Sequence, residues 1–216
     1  GKALTALIDG KNRNFDAAIL SVGVSGNIEN LGLEAIGVEV DRGFITVDEY
    51  QQTSVDGVYA IGDVAGVPCL AHKASHEGII AVEGIVGEMP NPLNKERIPG
   101  CTFSHPQIAS IGLSEVQASE RGEIKVGRFP LLANGKAVAV NDTEGLVKTI
   151  FDASTGALLG AHMIGPGVTE MIQGFAVAIG LESTEAELME TIFPHPTLSE
   201  AMHESVLSAF GRTINF

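Results

Sequence analysis

The sequence predicts an α/β region followed by an α+β domain, on three observations. The run Ala17-Ala18-Ile19-Leu20-Ser21-Val22 is apolar on both alternating faces, the pattern of a strand buried within a parallel sheet. A second apolar stretch, residues 58–63, precedes a helical pattern at about 71–87, which together make a strand–helix unit. From residue 98 onward strand-like stretches come first and helices after them, the order of an α+β domain. The chain has 216 residues, 44% of them hydrophobic, enough to bury a substantial core.

Three blocks organise the elements. In residues 1–47, residues 1–8 read as one strand of a hairpin, Asp9-Gly10-Lys11-Asn12 as its turn and residues 15–22 as the partner strand. Gly23, Gly26 and Asn27 end that strand; a short helix starts near Asn30 and is closed by Gly37. Residues 48–97 hold the buried strand at 58–63 and the helix at 71–87, with Ala74, Ile79, Val82 and Val86 along one face. Gly78, Gly84 and Gly87 each weaken that helix by up to about 1 kcal/mol, so glycine there marks close packing or close approach to a ligand. Met89-Pro90-Asn91-Pro92 reads as a linker.

Residues 98–216 form the α+β block. Strands are expected at 101–103, 109–111, 125–130, 146–152 and 158–164, with a hairpin turn at Ala153-Ser154-Thr155-Gly156. Helices are expected at 168–180, 185–191 and 198–210. Two apolar stripes, Ile172/Phe175/Ala176/Ile179 and Leu198/Met202/Val206/Phe210, leave more apolar surface than one small sheet needs and point to a two-fold contact between copies.

Thirteen basic residues oppose 27 acidic ones, a net charge of −14. Such a surface repels nucleic acid and anionic membranes and suits a basic protein partner, if it does more than keep the protein soluble. No stretch has the length of a membrane span, and the first residues carry no signal-peptide pattern. The two cysteines, Cys69 and Cys101, form neither a disulfide framework nor a zinc motif, and the natural compartment is a reducing cytoplasm. No metal site is expected: His76, His105, His162 and His203 have no ligand spacing and read as structural or exposed.

The most informative stretch is Phe193-Pro194-His195-Pro196-Thr197-Leu198-Ser199-Glu200. Two prolines restrict the backbone around His195, and a carboxylate follows five residues later at the start of a helix. A held imidazole beside a carboxylate is the arrangement of a general base. Glu200 has a second reading: Thr197-Leu198-Ser199-Glu200 fits a capping box, with Thr197 as N-cap and Glu200 three residues on. Asp63, ending a strand, is placed to accept hydrogen bonds from sugar hydroxyls, or simply to cap a turn.

Pro194-His195-Pro196-Thr197-Leu198-Ser199-Glu200-Ala201 closely resembles the end of the dihydrolipoyl dehydrogenases, a family of flavoprotein disulfide reductases. The resemblance implies that His195 takes the thiol proton of dihydrolipoamide, that Glu200 bonds the other ring nitrogen, and that Pro196 is cis. Residues 53–64, ending Ala60-Ile61-Gly62-Asp63-Val64, resemble the family's second flavin motif, which makes Asp63 a ligand of the FAD ribityl chain. Cys69, Leu70, Ala71 and His72 match the segment whose backbone lines the flavin ring at a helix N-terminus, Cys69 standing where an apolar residue is usual. Gly23, after Ala18-Ile19-Leu20-Ser21-Val22, matches the strand end that meets NAD. The next residues, Val24-Ser25-Gly26-Asn27, replace the usual two arginines and proline, as in some bacterial and plastid relatives.

The resemblance divides the chain into the remnant of an NAD-binding domain (1–47), part of an FAD-binding domain (48–97) and an interface domain (98–216). It implies a homodimer serving lipoyl domains and the E2 core of 2-oxoacid dehydrogenase complexes, or the glycine cleavage system, in the cytoplasm or, for an organelle form, a matrix or stroma. Neither a G-x-G-x-x-G fingerprint nor a closely spaced cysteine pair occurs. The chain therefore reads as a C-terminal part of such an enzyme, expected to be inactive alone and to retain little or no FAD. The rivals are a glutathione- or mercuric-reductase-type fragment, against which Leu198 and Ala201 count, and a non-enzymatic dimerisation module.

Overall fold

The structure, a computed structural model, describes residues 4–215. Two compact units divide the chain, one ending at Leu93 and the other starting at Asn94. Residues 1–3, the start of the expected first strand, lie outside the described residues.

In the first unit β1 (Leu4–Ile8) and β2 (Lys11–Phe15) form the hairpin, with Ile8 opposite Lys11. The turn is therefore Asp9-Gly10 alone, both at positive φ (51° and 72°), the two-residue geometry that matches strand twist. The expected partner strand at 15–22 is not formed. The polar run Lys11–Phe15 pairs instead, because the tight turn sets the register. Residues 17–22 are irregular and exposed, with Ile19 95% and Leu20 84% accessible. A strand apolar on both faces needs a neighbour on each edge, and none pairs with it among the described residues.

Helix α1 (Leu33–Ile36) ends at Gly37, whose φ of 81° is the left-handed cap the sequence anticipated. β3 (Val40–Asp41) and β4 (Phe44–Ile45) make a minimal hairpin. A small core of Val38, Ile45 and Ala60 gathers Ile28, Leu33, Val47, Val55, Val58 and Val64. Residues 58–63, expected as a buried strand, make only loop-like pairing, Thr53 N–H to Val58 O and Ala60 N–H to Gln51 O. They turn into a short 3₁₀ helix, Gly62–Ala65. With no strand alongside, the apolar run has only that loop to pair with. Helix α2 (Ala71–Ile85) follows and packs on the 3₁₀ turn.

The second unit is built on an antiparallel five-stranded sheet. β5 (Gly100–Thr102) and β6 (Gln107–Gly112) come first, then the short helix α3 (Glu115–Ser119). β7 (Ile124–Pro130), the short helix α4 (Gly135–Ala139), β8 (Leu146–Asp152) and β9 (Leu158–Gly165) complete it in the order β5-β6-β9-β8-β7. α3 and α4 were not anticipated, though each carries its cap in the sequence: a Ser114/Gln117 capping box and Asn134 Oδ1 accepting from the Ala137 N–H. The hairpin turn after Asp152 forms as expected. The Asp152 carboxylate accepts from the hydroxyls and N–H groups of Ser154 and Thr155, which pulls its pKa down to about 2.

Three helices complete the unit: α5 (Val168–Gly180), α6 (Glu185–Glu190) and α7 (Glu200–Ala209). α5 lies on β6 and β9, and α7 on β7 and β8. Val168, Ile172, Phe175, Ala178 and Ile179 turn inward from α5 to meet Phe129, Phe151 and Met163 of the sheet. Each such side chain fully buried contributes roughly 1.5–3 kcal/mol. Both apolar stripes seen in the sequence pack into this one core, so they do not themselves supply a surface for a second copy. Phe103, Val116, Leu132, Leu181 and Ile192 are the large apolar side chains left most exposed in this unit besides those near its C-terminal end.

β7 and α7 approach so closely that a Cβ on Gly127 would overlap the Ser205 carbonyl, backbone against backbone. Thr149, fully buried on β8, donates its hydroxyl to the same carbonyl at 3.0 Å. Gly127→Ala should therefore destabilise the second unit by about 3 kcal/mol, read from urea unfolding. Gly135→Ala, where a Cβ meets nothing, should change stability by less than about 1 kcal/mol.

Candidate functional site

The loop before α7 brings His195 and Glu200 together. His195 Nδ1 lies 2.8 Å from Glu200 Oε1, and the His195–Pro196 bond is cis, as the resemblance implied. The other carboxylate oxygen accepts the Thr197 N–H at 2.8 Å. One side chain thus makes the His195 contact and the Thr197 N–H contact that the two sequence readings of Glu200 call for. Thr197 does not cap α7; its hydroxyl donates to Pro194 O at 2.7 Å, and the helix starts at Glu200 itself, two residues later than a Thr197 cap implies. Half of the capping box forms, and the half that is missing frees Thr197 to close the loop around His195.

Two further residues, Asn134 and His203, hold this loop, and a third, Glu204, holds the C-terminal residues beside it. Asn134 Nδ2 donates to Thr197 O at 3.0 Å while its Oδ1 caps α4, so a buried amide ties the loop to the start of α4. His203 stacks on Phe193, with centroids 5.1 Å apart, and its Nε2 sits 3.0 Å from Met189 O. Glu204, buried, accepts from the Ile214 N–H and from Asn215 Nδ2. Residues 189–193, Glu200, His203, Glu204, Ile214 and Asn215 line a cleft of about 340 Å³.

Electrostatically the pair is unequal. Burial raises the Glu200 pKa, but the Thr197 N–H and the His195 ring outweigh it and hold the carboxyl below its ordinary value. Glu200 is therefore ionised at neutral pH, which places the imidazole proton on Nδ1 and leaves Nε2 as the free acceptor. The His195 side chain is 74% exposed and Glu200 25%, so the imidazole projects outward from a held carboxylate.

The residues matched to flavin and NAD lie in the first unit. Asp63 is exposed in the 3₁₀ turn. Cys69 and Leu70 precede α2, and Ala71 and His72 open it; Leu70 is the N-cap, and no side chain caps that end. Cys69 is a half-buried free thiol after a cis Val67–Pro68 bond. Gly23 is exposed at φ 114° in the irregular stretch, with no strand beside it among the described residues. An exposed carboxylate that can accept from hydroxyls, and the uncapped positive end of a fifteen-residue helix in the same unit, are polar groups of the kinds that fit the sugar-alcohol and ring parts of a flavin. No group of three or more potential metal ligands occurs among the described residues, and no described helix is long and apolar enough to cross a membrane.

Sequence reasoning missed four residues at these places. Lys73 and Glu77 form a buried ion pair at 2.8 Å, where the i, i+4 spacing alone reads as a surface pair. Asn134 signalled only a cap, and His203 only a lone histidine.

Because the Glu200 pKa is depressed, the carboxylate bonds are complete above its ordinary value of 4.5 and are lost as pH falls through the lower folded value. The Thr197 amide proton should shift with that titration, below pH 4.5, when followed by NMR. Glu200→Gln should abolish the shift.

Residues 98–206 match the pyridine nucleotide-disulphide oxidoreductase dimerisation domain, and residues 2–78 match the pyridine nucleotide-disulphide oxidoreductase model. The dihydrolipoyl dehydrogenase of Zymomonas mobilis is 61% identical over 212 residues, 96% of this chain and 46% of that protein. That of Bacillus subtilis is 46% identical over 211 residues, 96% of this chain and 44% of the relative. Among solved structures, LpdA from Mycobacterium tuberculosis superposes with a TM-score of 0.84 at 31% identity, over 92% of this chain and 44% of that one. The HOCl-induced flavoprotein disulfide reductase RclA from Escherichia coli gives 0.86 at 26%, over 94% and 47%. The chain spans about half the length of the curated relatives it matches. With a dimerisation-domain match over half of its residues and these relatives along nearly all of them, the chain belongs to the pyridine nucleotide-disulphide oxidoreductase family.

Proposed function

We propose that the chain is the C-terminal part of a dihydrolipoyl dehydrogenase and supplies its general base. The observation that carries this is the His195–Glu200 pair, 2.8 Å apart behind a cis-proline, in a chain whose relatives bear that name. Glu200, ionised, keeps the proton on Nδ1. Nε2 takes the proton of a dihydrolipoyl thiol and leaves a thiolate. The redox disulfide that this thiolate would attack lies outside the sequence, whose two cysteines are 32 positions apart, Cys69 and Cys101. FAD and NAD supply the electron acceptance when bound; Asp63 would hold the ribityl hydroxyls, the Cys69–His72 backbone the ring, and Gly23 would approach NAD. Residues 1–47, 48–97 and 98–216 would then belong to the NAD, FAD and interface domains.

The outward exposure of His195 fits a base presented to the active site of a second subunit. The acidic surface fits basic partners among lipoyl domains and an E2 core, and two free thiols fit a reducing cytoplasm. In the full-length protein, His195→Gln should slow the dihydrolipoamide half-reaction by about 10²–10⁴, measured as the stopped-flow rate of enzyme reduction. Glu200→Gln should cost less, because the imidazole remains. Near-normal rates in both variants would leave Glu200 a loop cap and nothing more.

The dimerisation-domain match makes a second expectation. The chain alone should run as a concentration-independent species of twice 22.5 kDa in light scattering coupled to size exclusion. It should show only background NADH formation with dihydrolipoamide. A monomer at micromolar concentration would refute the native interface.

A further inference from the structure

We propose that Lys73 and Glu77 are positioning residues for the Asp63 carboxylate: they clamp both peptide planes of Gly62 and so set the direction in which the chain enters Asp63. Glu77 Oε2 accepts the Gly62 N–H at 2.7 Å, and Lys73 Nζ donates to the Gly62 carbonyl at 3.1 Å. The same ammonium pairs with Glu77 Oε1 at 2.8 Å, with side-chain exposures of 0% and 3%. Gly62 is itself buried at φ 76°, a left-handed conformation, and a Cβ there would press on Ala74 of α2 at 3.3 Å. The N–H lies in the plane shared with Ile61 and the carbonyl in the plane shared with Asp63. Fixing both planes fixes φ and ψ of the one residue between them.

Stability alone does not call for this arrangement. A buried ion pair is often matched or bettered by apolar side chains of the same volume, because desolvation offsets the attraction. What apolar side chains cannot do is accept a peptide N–H and donate to a peptide carbonyl at the same residue. A left-handed glycine with neither group held would be free to turn, and Asp63 with it. The exposed carboxylate is thereby held by a helix rather than by a loop, the usual requirement for a precise binding group.

The role assigned to Asp63 rests on the flavin reading above; the clamp itself does not, and the experiment separates them. In the unmodified chain, the Gly62 amide should be protected from hydrogen exchange. Free exchange there would overturn the clamp without any substitution. Two uncharged double variants follow. Lys73→Met with Glu77→Gln keeps an acceptor for the Gly62 N–H, and Lys73→Met with Glu77→Met does not. Exchange at Gly62 should rise about tenfold or more in the second and much less in the first, the scale of a hydrogen bond lost from a charged or amide acceptor. Equal exchange in the two variants, or a folded second variant and an unfolded first, would overturn the proposal. In the full-length protein the second variant should weaken FAD, followed by flavin fluorescence on dilution, about as much as Asp63→Ala does. If Asp63→Ala weakens FAD and the clamp variants leave it unchanged, the positioning role fails. If Asp63→Ala itself has no effect, the flavin reading of Asp63 fails, while the exchange data still decide the clamp.

Discussion

Helix α7 can lie against the sheet only because β7 has no side chain at Gly127. The Ser205 carbonyl occupies the space where a Cβ would stand, and Thr149 reaches across from β8 to donate to that same carbonyl. The seat of α7 fixes where its first residue, Glu200, emerges, and Glu200 fixes His195. Backbone contact of this kind tolerates no adjustment by rotamer change. The position of an exposed imidazole thus depends on a close approach in the interior of the same unit. Asn134 and His203 add their contacts on a loop whose end is already set.

The two candidate sites use one device in two settings. At Glu200, one carboxylate oxygen accepts a backbone N–H and the other faces the His195 ring. At Glu77, one oxygen accepts the Gly62 N–H and the other faces the Lys73 ammonium. A carboxylate has lone pairs for both tasks at once, and a peptide N–H is a partner that cannot swing away. The settings differ in solvent. Glu200 stands a quarter exposed beside an imidazole that is itself largely open to solvent. Glu77 is sealed against the Lys73 amine nitrogen away from solvent, which suits a fixed support. The first arrangement presents an imidazole at a surface, and the second holds a piece of backbone still.

Much of the fold was readable from local rules. The strands at 124–130, 146–152 and 158–165, the turn after Asp152 and the long helices follow from alternation, turn residues and 3.6-residue periodicity, all of which act within a few neighbours. The site dyad was readable because prolines and a five-residue spacing constrain geometry by themselves. The misjudged segments share a cause. Residues 17–22 and 58–63 have the composition of strands but find no strand to pair with among the described residues, and a strand is a property of a pair. The polar Lys11–Phe15 became a strand because an Asp-Gly turn brought it beside one.

By itself, then, the sequence determined most local elements of the second unit, the family resemblance and the pairing of His195 with Glu200, since each depends on neighbours in the chain. Tertiary structure alone decided which strands found partners, that both apolar stripes close on one sheet, and that Lys73 and Glu77 meet at Gly62 in the interior. The physical reason is the range of the forces involved. Periodicity and turn chemistry are written into adjacent residues, whereas burial and backbone hydrogen bonds at a distance exist only when remote segments arrive together.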